Sequence, residues 1–220
     1  TGFAANPQDY VPLARDKAYV TRFEQNGTSG REDFDGGDDL LVVDPSLTAV
    51  VERIDLGPVL EGEAPGFLPR ASRALVAGGL VRVLAQAGNA TFEFLDSRLV
   101  TIDPDTDRIG QVLVLEGMKS CAGLALSPDG SELAVACNGS FAQDPVGGFP
   151  DSGIVVLEVG EALTEKQRFS ASELGGEQIS ALAYAGATSL VFTTYGRYSA
   201  DASRLEVPDA LRRLDLESGA

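Results

Sequence analysis

The residues best suited to chemistry lie in residues 26–39, the densest group of carboxylates in the chain. The candidate metal ligands there are Glu32, Asp33, Asp35, Asp38 and Asp39. Carboxylate oxygens are the ligands that Ca²⁺ prefers, and the spacing of Asp33 and Asp35 resembles the start of an EF-hand loop. Gly36 and Gly37 interrupt that pattern, and strands rather than helices are predicted on either side. A flexible solvated loop is the favoured interpretation, and a calcium site of another kind is the alternative.

A second group of candidates combines aromatic and charged side chains in two later segments, residues 138–153 and 195–210. Aromatic side chains among Gly and Pro can form the rim of a ligand site, although they also fold back as local plugs. Arg197 is a positive group among acids, and an ion pair with a neighbouring loop is its alternative role. The candidate ligand-binding residues are Phe141, Asp144, Phe149, Asp151, Tyr195, Arg197 and Tyr198.

The charge of the chain limits its partners. It has 33 acidic and 17 basic residues among 220, for a formal net charge of −16. Phosphate backbones and anionic membrane surfaces would be repelled, so neither nucleic acid nor such a membrane is an expected partner. Cationic partners and metal ions are favoured, with simple solubility as the alternative. No apolar run approaches the roughly 20 residues that span a bilayer.

The absence of histidine limits the chemistry. It excludes a Ser-His-Asp triad, a Cys-His dyad and a His-ligated zinc or copper centre within this chain. Two cysteines cannot form a four-thiolate site. No catalytic residue is therefore predicted, and metal-assisted hydrolysis by carboxylates alone is an enzymatic alternative.

The two cysteines lie at the ends of a predicted hairpin, which reads CAGLALSPDGSELAVAC. Ser127–Gly130 has the residues of a tight turn, because Pro128 presets φ and Gly130 accepts a left-handed conformation. A three-residue hairpin with a Gly bulge would pair Ser127 with Ser131, and counting outward pairs Cys121 with Cys137. We expect a disulfide, which implies an oxidising compartment; two buried free thiols are the alternative.

The same strand pattern recurs along the whole chain. Four apolar segments end in an acid (Asp44, Asp103, Glu158 and Asp215), and each is preceded by two further strand-like runs. A fourth run follows the first three acids. Four short strands per repeat are typical of a β-propeller blade. We predict an all-β chain forming one β-propeller domain with four recognisable blades, over residues 8–57, 71–117, 121–172 and 179–220. A helical turn is predicted only within residues 205–214.

The connections between second and third strands are predicted to be long, over residues 24–39, 88–98, 138–153 and 196–210. Because strand direction alternates, these loops should share one face with the connections between blades. Insertions gathered on one face of a scaffold usually form a binding surface, so a protein or small-molecule ligand is expected there. The recurring acids are interpreted as turn caps rather than catalysts.

These motifs resemble the YVTN-type β-propeller repeat family. Tyr19-Val20-Thr21 matches its name motif, Val42-Val43-Asp44 and Thr101-Ile102-Asp103 approximate its Val-Ile-Asp strand, and Ser127–Gly130 match its hairpin. Such propellers serve as lactonases, surface-layer modules and binding proteins. The resemblance implies a bacterial, secreted, periplasmic or cell-surface module for binding or scaffolding. A lactonase-like hydrolase and a purely structural repeat module are the alternatives.

The fourth repeat departs from the pattern, because Arg212 and Arg213 interrupt its third strand and its outer strand is missing. We expect the chain to be part of a larger propeller, with further blades from the rest of the chain or from a partner chain; an unusual four-bladed ring is the alternative. The start at Thr1 is typical of a mature or trimmed chain.

Overall fold

The structure, a computed structural model, describes residues 3–140, 148–199 and 203–219. Regular structure in these ranges consists of strands and one short 3₁₀ helix, Gly57–Leu60. No helix in the described ranges is long and apolar enough to cross a membrane. The all-β prediction is therefore confirmed. The strand boundaries agree with the sequence pattern because each run is rich in Val, Leu and Ile and ends at Gly, Pro, Asp or Ser.

Three sheets have four strands each, arranged in chain order, and the fourth sheet has three. Sheet 1 contains β1 (Pro7–Ala14), β2 (Lys17–Arg22), β3 (Asp39–Asp44) and β4 (Ala49–Asp55). Sheet 2 contains β5 (Leu68–Ala77), β6 (Leu80–Gly88), β7 (Phe94–Asp103) and β8 (Arg108–Lys119). Sheet 3 contains β9 (Cys121–Leu126), β10 (Glu132–Cys137), β11 (Gly153–Val159) and β12 (Leu163–Ser170). Sheet 4 contains β13 (Ile179–Gly186), β14 (Ser189–Thr194) and β17 (Ala210–Asp215). A small hairpin between β14 and β17 consists of β15 (Arg197–Tyr198) and β16 (Leu205–Val207).

The chain divides into two compact units, Thr1–Val114 and Leu115–Ala220. In the first, buried side chains of sheets 1 and 2 form one apolar core, which includes Tyr19, Leu40, Val83 and Ile102. In the second, sheets 3 and 4 form a core around Ile154, Ile179, Leu190, Phe192 and Leu214. Each core supplies the rigid support from which the loops of its unit extend.

Two expectations about the loops are wrong. The connection in sheet 2 is short, because β6 continues to Gly88 and β7 begins at Phe94, so that residues 89–93 alone connect them. Phe94 and Leu95 pair with Gly88 and Ala87. As a result β7, the strand that ends in the recurring acid Asp103, begins earlier than the sequence predicts. Residues 205–214 form two strands, β16 and β17, rather than a helical turn, since their backbone pairs with β15 and β14.

The two cysteines pair as predicted, but the hairpin between them differs from the predicted one. Gly130 N–H donates to the Ser127 carbonyl at 2.9 Å, and Ser127 pairs with Glu132 rather than with Ser131. The turn is thus one residue longer than predicted. A β-bulge between the pairs Ala136–Gly123 and Cys137–Cys121 removes that offset, and the two cysteines are joined by a disulfide. The extra residue in the turn and the extra residue in the bulge offset each other, so that Cys121 lies opposite Cys137 as predicted.

Three of the four recurring acids cap turns as predicted. Their carboxylates accept hydrogen bonds from the turn, and this lowers the pKa of each below its ordinary value. The donors are Ser46 and Leu47 for Asp44, Asp105 and Thr106 for Asp103, and Glu217 and Ser218 for Asp215. The Glu158 carboxylate accepts no hydrogen bond from the described residues, since only three residues connect β11 to β12 and the turn is of another kind.

Candidate functional site

The acidic segment of the first unit is attached to sheet 1 by a buried ion pair. Arg22 ends β2 and Asp39 begins β3, and both side chains are fully shielded from solvent. The Arg22 guanidinium donates through Nε to Asp39 Oδ1 at 3.0 Å and through Nη1 to the Phe34 carbonyl at 2.7 Å. The Asp39 carboxylate neutralises the buried charge of Arg22. Asp39 therefore has a structural role.

Asp35 turns inward and organises the loop backbone. Its two carboxylate oxygens accept the N–H groups of Gly30, Arg31 and Glu32 at 2.8, 2.9 and 3.1 Å. These hydrogen bonds favour the ionised form and lower the pKa of Asp35 below its ordinary value. Gly37 adopts φ +100°, and a Cβ there would lie 2.5 Å from the Glu24 carbonyl, so this close approach requires glycine.

The five candidate metal ligands do not converge on one point in this structure. Asp38 Oδ1 lies 3.9 Å from Arg53 Nη1, and Glu32 and Asp33 are exposed. Within the described ranges, no group of three or more acidic or cysteine side chains is placed to hold a metal ion. The physical reason is that Asp35 and Asp39 bond inward to backbone and guanidinium donors, so the carboxylates diverge.

Arg70 joins the loops of sheets 1 and 2 within the first unit. Its guanidinium donates to the carbonyls of Phe23 and Asn89 at 3.4 and 3.5 Å and lies 3.3 Å from the Glu24 carboxylate. It also stacks over the rings of Phe23 and Phe92, at 5.4 and 5.9 Å from their centroids. The side chain is 8% exposed, and its Nε has no hydrogen-bond partner.

Sequence reasoning missed both Arg22 and Arg70. The available signal was an arginine inside an otherwise apolar strand-like run, as in AYVTRF and FLPRAS. A charge in such a position requires a buried partner if the strand is to pack. The run does not identify that partner, which in each case lies on a different strand or loop.

In the second unit, Asp151 also has a structural role. Its Oδ1 accepts the Ser140 N–H at 3.0 Å, its Oδ2 accepts the Ser140 hydroxyl, and Lys119 Nζ lies 3.6 Å away. Burial opposes ionisation, but the hydrogen bonds from Ser140 lower the pKa of Asp151 overall. These contacts hold the two ends of the loop between β10 and β11 next to each other.

The connection between sheets 3 and 4 joins that loop to the next one. Gln178 donates through its side chain to the Ser140 carbonyl at 3.4 Å, and its own carbonyl accepts the Tyr195 N–H at 2.9 Å. Arg197 Nη2 lies 3.7 Å from Glu177 Oε1, so the predicted alternative of an ion pair is observed. Residues from both loops are thus brought to one end of the second unit.

The remaining candidates differ in their exposure. Tyr195 is 45% exposed, Arg197 is exposed, and Phe149 is half-buried. Phe141 and Asp144 lie outside the described residues. Tyr198 lies in β15, where its backbone pairs with Leu205. We call residues 138–140, 148–152, 176–178 and 195–199 the loop end of the second unit.

Comparisons with known proteins bear on the fold alone. No protein-family model matches the chain, and no curated protein matches it. Hydrazine synthase from Kuenenia stuttgartiensis superposes with a TM-score of 0.58 at 14% identity, covering 98% of this chain and 47% of that one. The Pan2 WD40 domain from Neurospora crassa gives a TM-score of 0.50 at 9% identity, covering 99% and 64%.

The chain therefore spans about half to two thirds of the length of these two structures. WD40 repeats form the blades of β-propellers, each a four-stranded antiparallel sheet. Sheets 1, 2 and 3 match that description, and sheet 4 lacks its outer strand within the described residues. The chain has the β-propeller fold, with four recognisable blades of which the last is incomplete.

Proposed function

We propose that the chain is a binding module whose contact surface is the loop end of the second unit and whose partner is a polypeptide. The observation that carries this proposal is the attachment of two loops to one connection through Gln178, with Tyr195 and Arg197 left on the exterior. Rigid attachment lowers the entropy lost on binding, and Tyr and Arg are the side chains that most often dominate protein interfaces.

The fold supports the same reading, since β-propellers offer loops on a stable scaffold but do not define one activity. No arrangement of the described side chains favours the hydrolase alternative. We further propose membership of the YVTN-type repeat family and a location outside the cytoplasm, either secreted or in the cell envelope. The Cys121–Cys137 disulfide supports that location, because such bonds persist in oxidising compartments.

Photo-crosslinking tests the proposed contact surface. Tyr195 is replaced by a benzophenone amino acid, and the protein is irradiated in an envelope extract of its source organism. Tyr10 on β1 is the matched control, because it is also a tyrosine and is 55% exposed. A discrete protein adduct from position 195, absent from position 10 and weakened by Arg197→Glu, supports the proposal. Identical adducts from both positions, or none from position 195, contradict it.

The location is tested separately by quenching cells in acid and alkylating their denatured proteins under non-reducing conditions, because both cysteines are buried in the folded chain. A protein that carries no label until it is reduced supports an oxidising compartment. Two labelled cysteines contradict it.

A further inference from the structure

The buried side-chain atoms of the second unit that have no hydrogen-bond partner all lie beside its loop end. Within the described residues of this unit they are Ser120 Oγ, Asn138 Oδ1 and Thr194 Oγ1. Ser120 directly precedes β9, Asn138 directly follows β10, and Thr194 is the last residue of β14. The three residues are at least nine-tenths buried. Buried polar atoms normally have partners, so this end of the unit is a candidate for a ligand that supplies them.

Asn138 and Thr194 both face the space between sheets 3 and 4. Ala136, two residues before Asn138, belongs to the core that these two sheets share. Phe192, two residues before Thr194, belongs to the same core. Because alternate residues of a strand lie on one face, the apolar core ends on its loop side in these two polar side chains.

The connection between sheets 3 and 4 brings a buried carboxylate to the same place. Gln178 bonds to Ser140 on one side and to Tyr195 on the other, so Glu177 lies next to the segments that follow β10 and β14. Glu177 is 7% exposed, and its carboxylate accepts no hydrogen bond from the described residues. Arg197 Nη2 lies 3.7 Å from Glu177 Oε1, which is beyond hydrogen-bond distance. A buried carboxylate needs closer donors than this one has.

These three groups together specify a cation with several N–H donors. The Glu177 carboxylate and Asn138 Oδ1 only accept hydrogen bonds, and the Thr194 hydroxyl can accept one as well. A guanidinium carries five N–H donors in one plane and is more weakly hydrated than an ammonium, so it enters buried ion pairs more readily. The net charge of −16 also attracts a cationic partner.

We infer that the loop end of the second unit binds an arginine side chain of its polypeptide partner. The guanidinium pairs with the Glu177 carboxylate and donates to Asn138 Oδ1 and to the Thr194 hydroxyl. The inference rests on the proposed function, since it takes the partner to be a polypeptide at the loop end, and it adds the side chain by which that partner is recognised.

The peptide acetyl-Gly-Arg-Gly-amide tests the inference by NMR titration of the full chain. We expect shifts at the side-chain amide of Asn138 and at the backbone amides of Glu177 and Thr194. The same peptide with citrulline, which has the shape of arginine without its charge, is the matched control. It should bind about tenfold more weakly, because the charge-assisted hydrogen bonds are lost. Equal binding of the arginine peptide and of its citrulline or lysine analogue would overturn the inference.

A pair of charge-removing variants tests the carboxylate. Glu177→Gln should weaken binding of the arginine peptide by about tenfold, because the buried ion pair becomes a neutral contact. Glu161→Gln removes the same charge from an exposed position in the turn between β11 and β12 and should leave affinity unchanged. Equal weakening in both variants would show that net charge alone attracts the peptide.

Thr194→Val separates ligand binding from folding. The Thr194 hydroxyl has no partner, so a methyl group of the same shape should leave stability unchanged or raise it, while peptide binding weakens by about fivefold. Thr193→Val is the matched control, because the Thr193 hydroxyl bonds to that of Ser180 at 3.2 Å. This control should lower stability and leave binding unchanged. Unchanged binding or lowered stability in Thr194→Val would overturn the inference.

Competition for the photo-crosslink at position 195 distinguishes this inference from the proposed function. An excess of the arginine peptide should suppress the adduct, and the citrulline peptide should not. An adduct that forms but resists the arginine peptide overturns the inference and leaves the proposed function supported. Absence of the adduct, with the arginine peptide still bound beside Glu177, contradicts the proposed function and leaves the arginine site supported.

Discussion

The two units fix their loops to their sheets by different physical means. In the first unit, four arginines, Arg22, Arg70, Arg82 and Arg98, are at least nine-tenths buried. In the second, every described Lys and Arg is exposed or half-buried, and a disulfide joins the strands beside the loop between β10 and β11. Buried guanidinium groups satisfy several loop carbonyls at once, whereas a disulfide restricts the chain without needing polar partners. The comparison predicts that the units respond to different perturbations.

The largest effect is expected from the buried ion pair of the first unit. Arg22→Ala leaves Asp39 buried without its partner, so the free energy of unfolding should fall by about 3–5 kcal/mol. Denaturant unfolding, with hydrogen exchange of residues 23–38, measures the loss and its location. Arg204→Ala removes a solvent-exposed ion pair and should cost less than about 1 kcal/mol. A similar loss in both variants would show that burial does not decide the effect.

Removal of the disulfide should have the next largest effect, confined to the second unit. Replacing Cys121 and Cys137 together by serine should lower stability by about 3 kcal/mol, the value expected for a loop of this size. Hydrogen exchange should accelerate in β9 and β10 while amides near Arg22 keep their protection. A reducing agent applied to the unaltered protein should reproduce the result, and equal acceleration in both units would remove the distinction between them.

Arg70→Lys should have a smaller effect, about 1–2 kcal/mol, because lysine keeps the charge but cannot contact two carbonyls and two rings together. The expected sign of local loosening is faster exchange at Phe92, whose N–H donates to the Asn89 carbonyl at 3.3 Å. Ring signals of Phe23 and Phe92 should shift as the cation leaves them. Unchanged ring signals would show that Arg70 does not join these loops.

The smallest effect concerns pH and the loop around Asp35. Because the folded state lowers the pKa of Asp35 below its ordinary 3.8, the carboxylate stabilises the loop above that value. As pH falls through the folded pKa, the stabilisation is lost, and exchange protection at Gly30, Arg31 and Glu32 should decrease. Asp35→Asn should reproduce this loosening at neutral pH. Protection that is unchanged in the variant would contradict the role of the carboxylate.

Much of the fold could be predicted from the sequence because its determinants are local. The runs ending in Asp44, Asp103 and Asp215 carry both the strand pattern and the turn cap within a few residues. The loop from 88 to 98 was overestimated because Phe94 joins β7 through pairing with Gly88, which only the neighbouring strand decides. The roles of Asp35 and Asp39 could not be predicted, since an acidic cluster appears the same whether its carboxylates point outward together or inward to separate partners.

In a regular hairpin, the length of the turn decides which residue lies opposite Cys121. The bulge between Cys121 and Gly123 lets the two cysteines pair even though the turn is one residue longer. A Cβ on Gly123 would lie 2.7 Å from the Cβ of Ala136, so the backbones approach closely at this point. Ala122 is the residue that the bulge adds to β9, since Gly123 pairs with Ala136 and Cys121 with Cys137. Deletion of Ala122 should therefore leave the two cysteines opposite each other in a regular hairpin that keeps the same turn and the same covalent link.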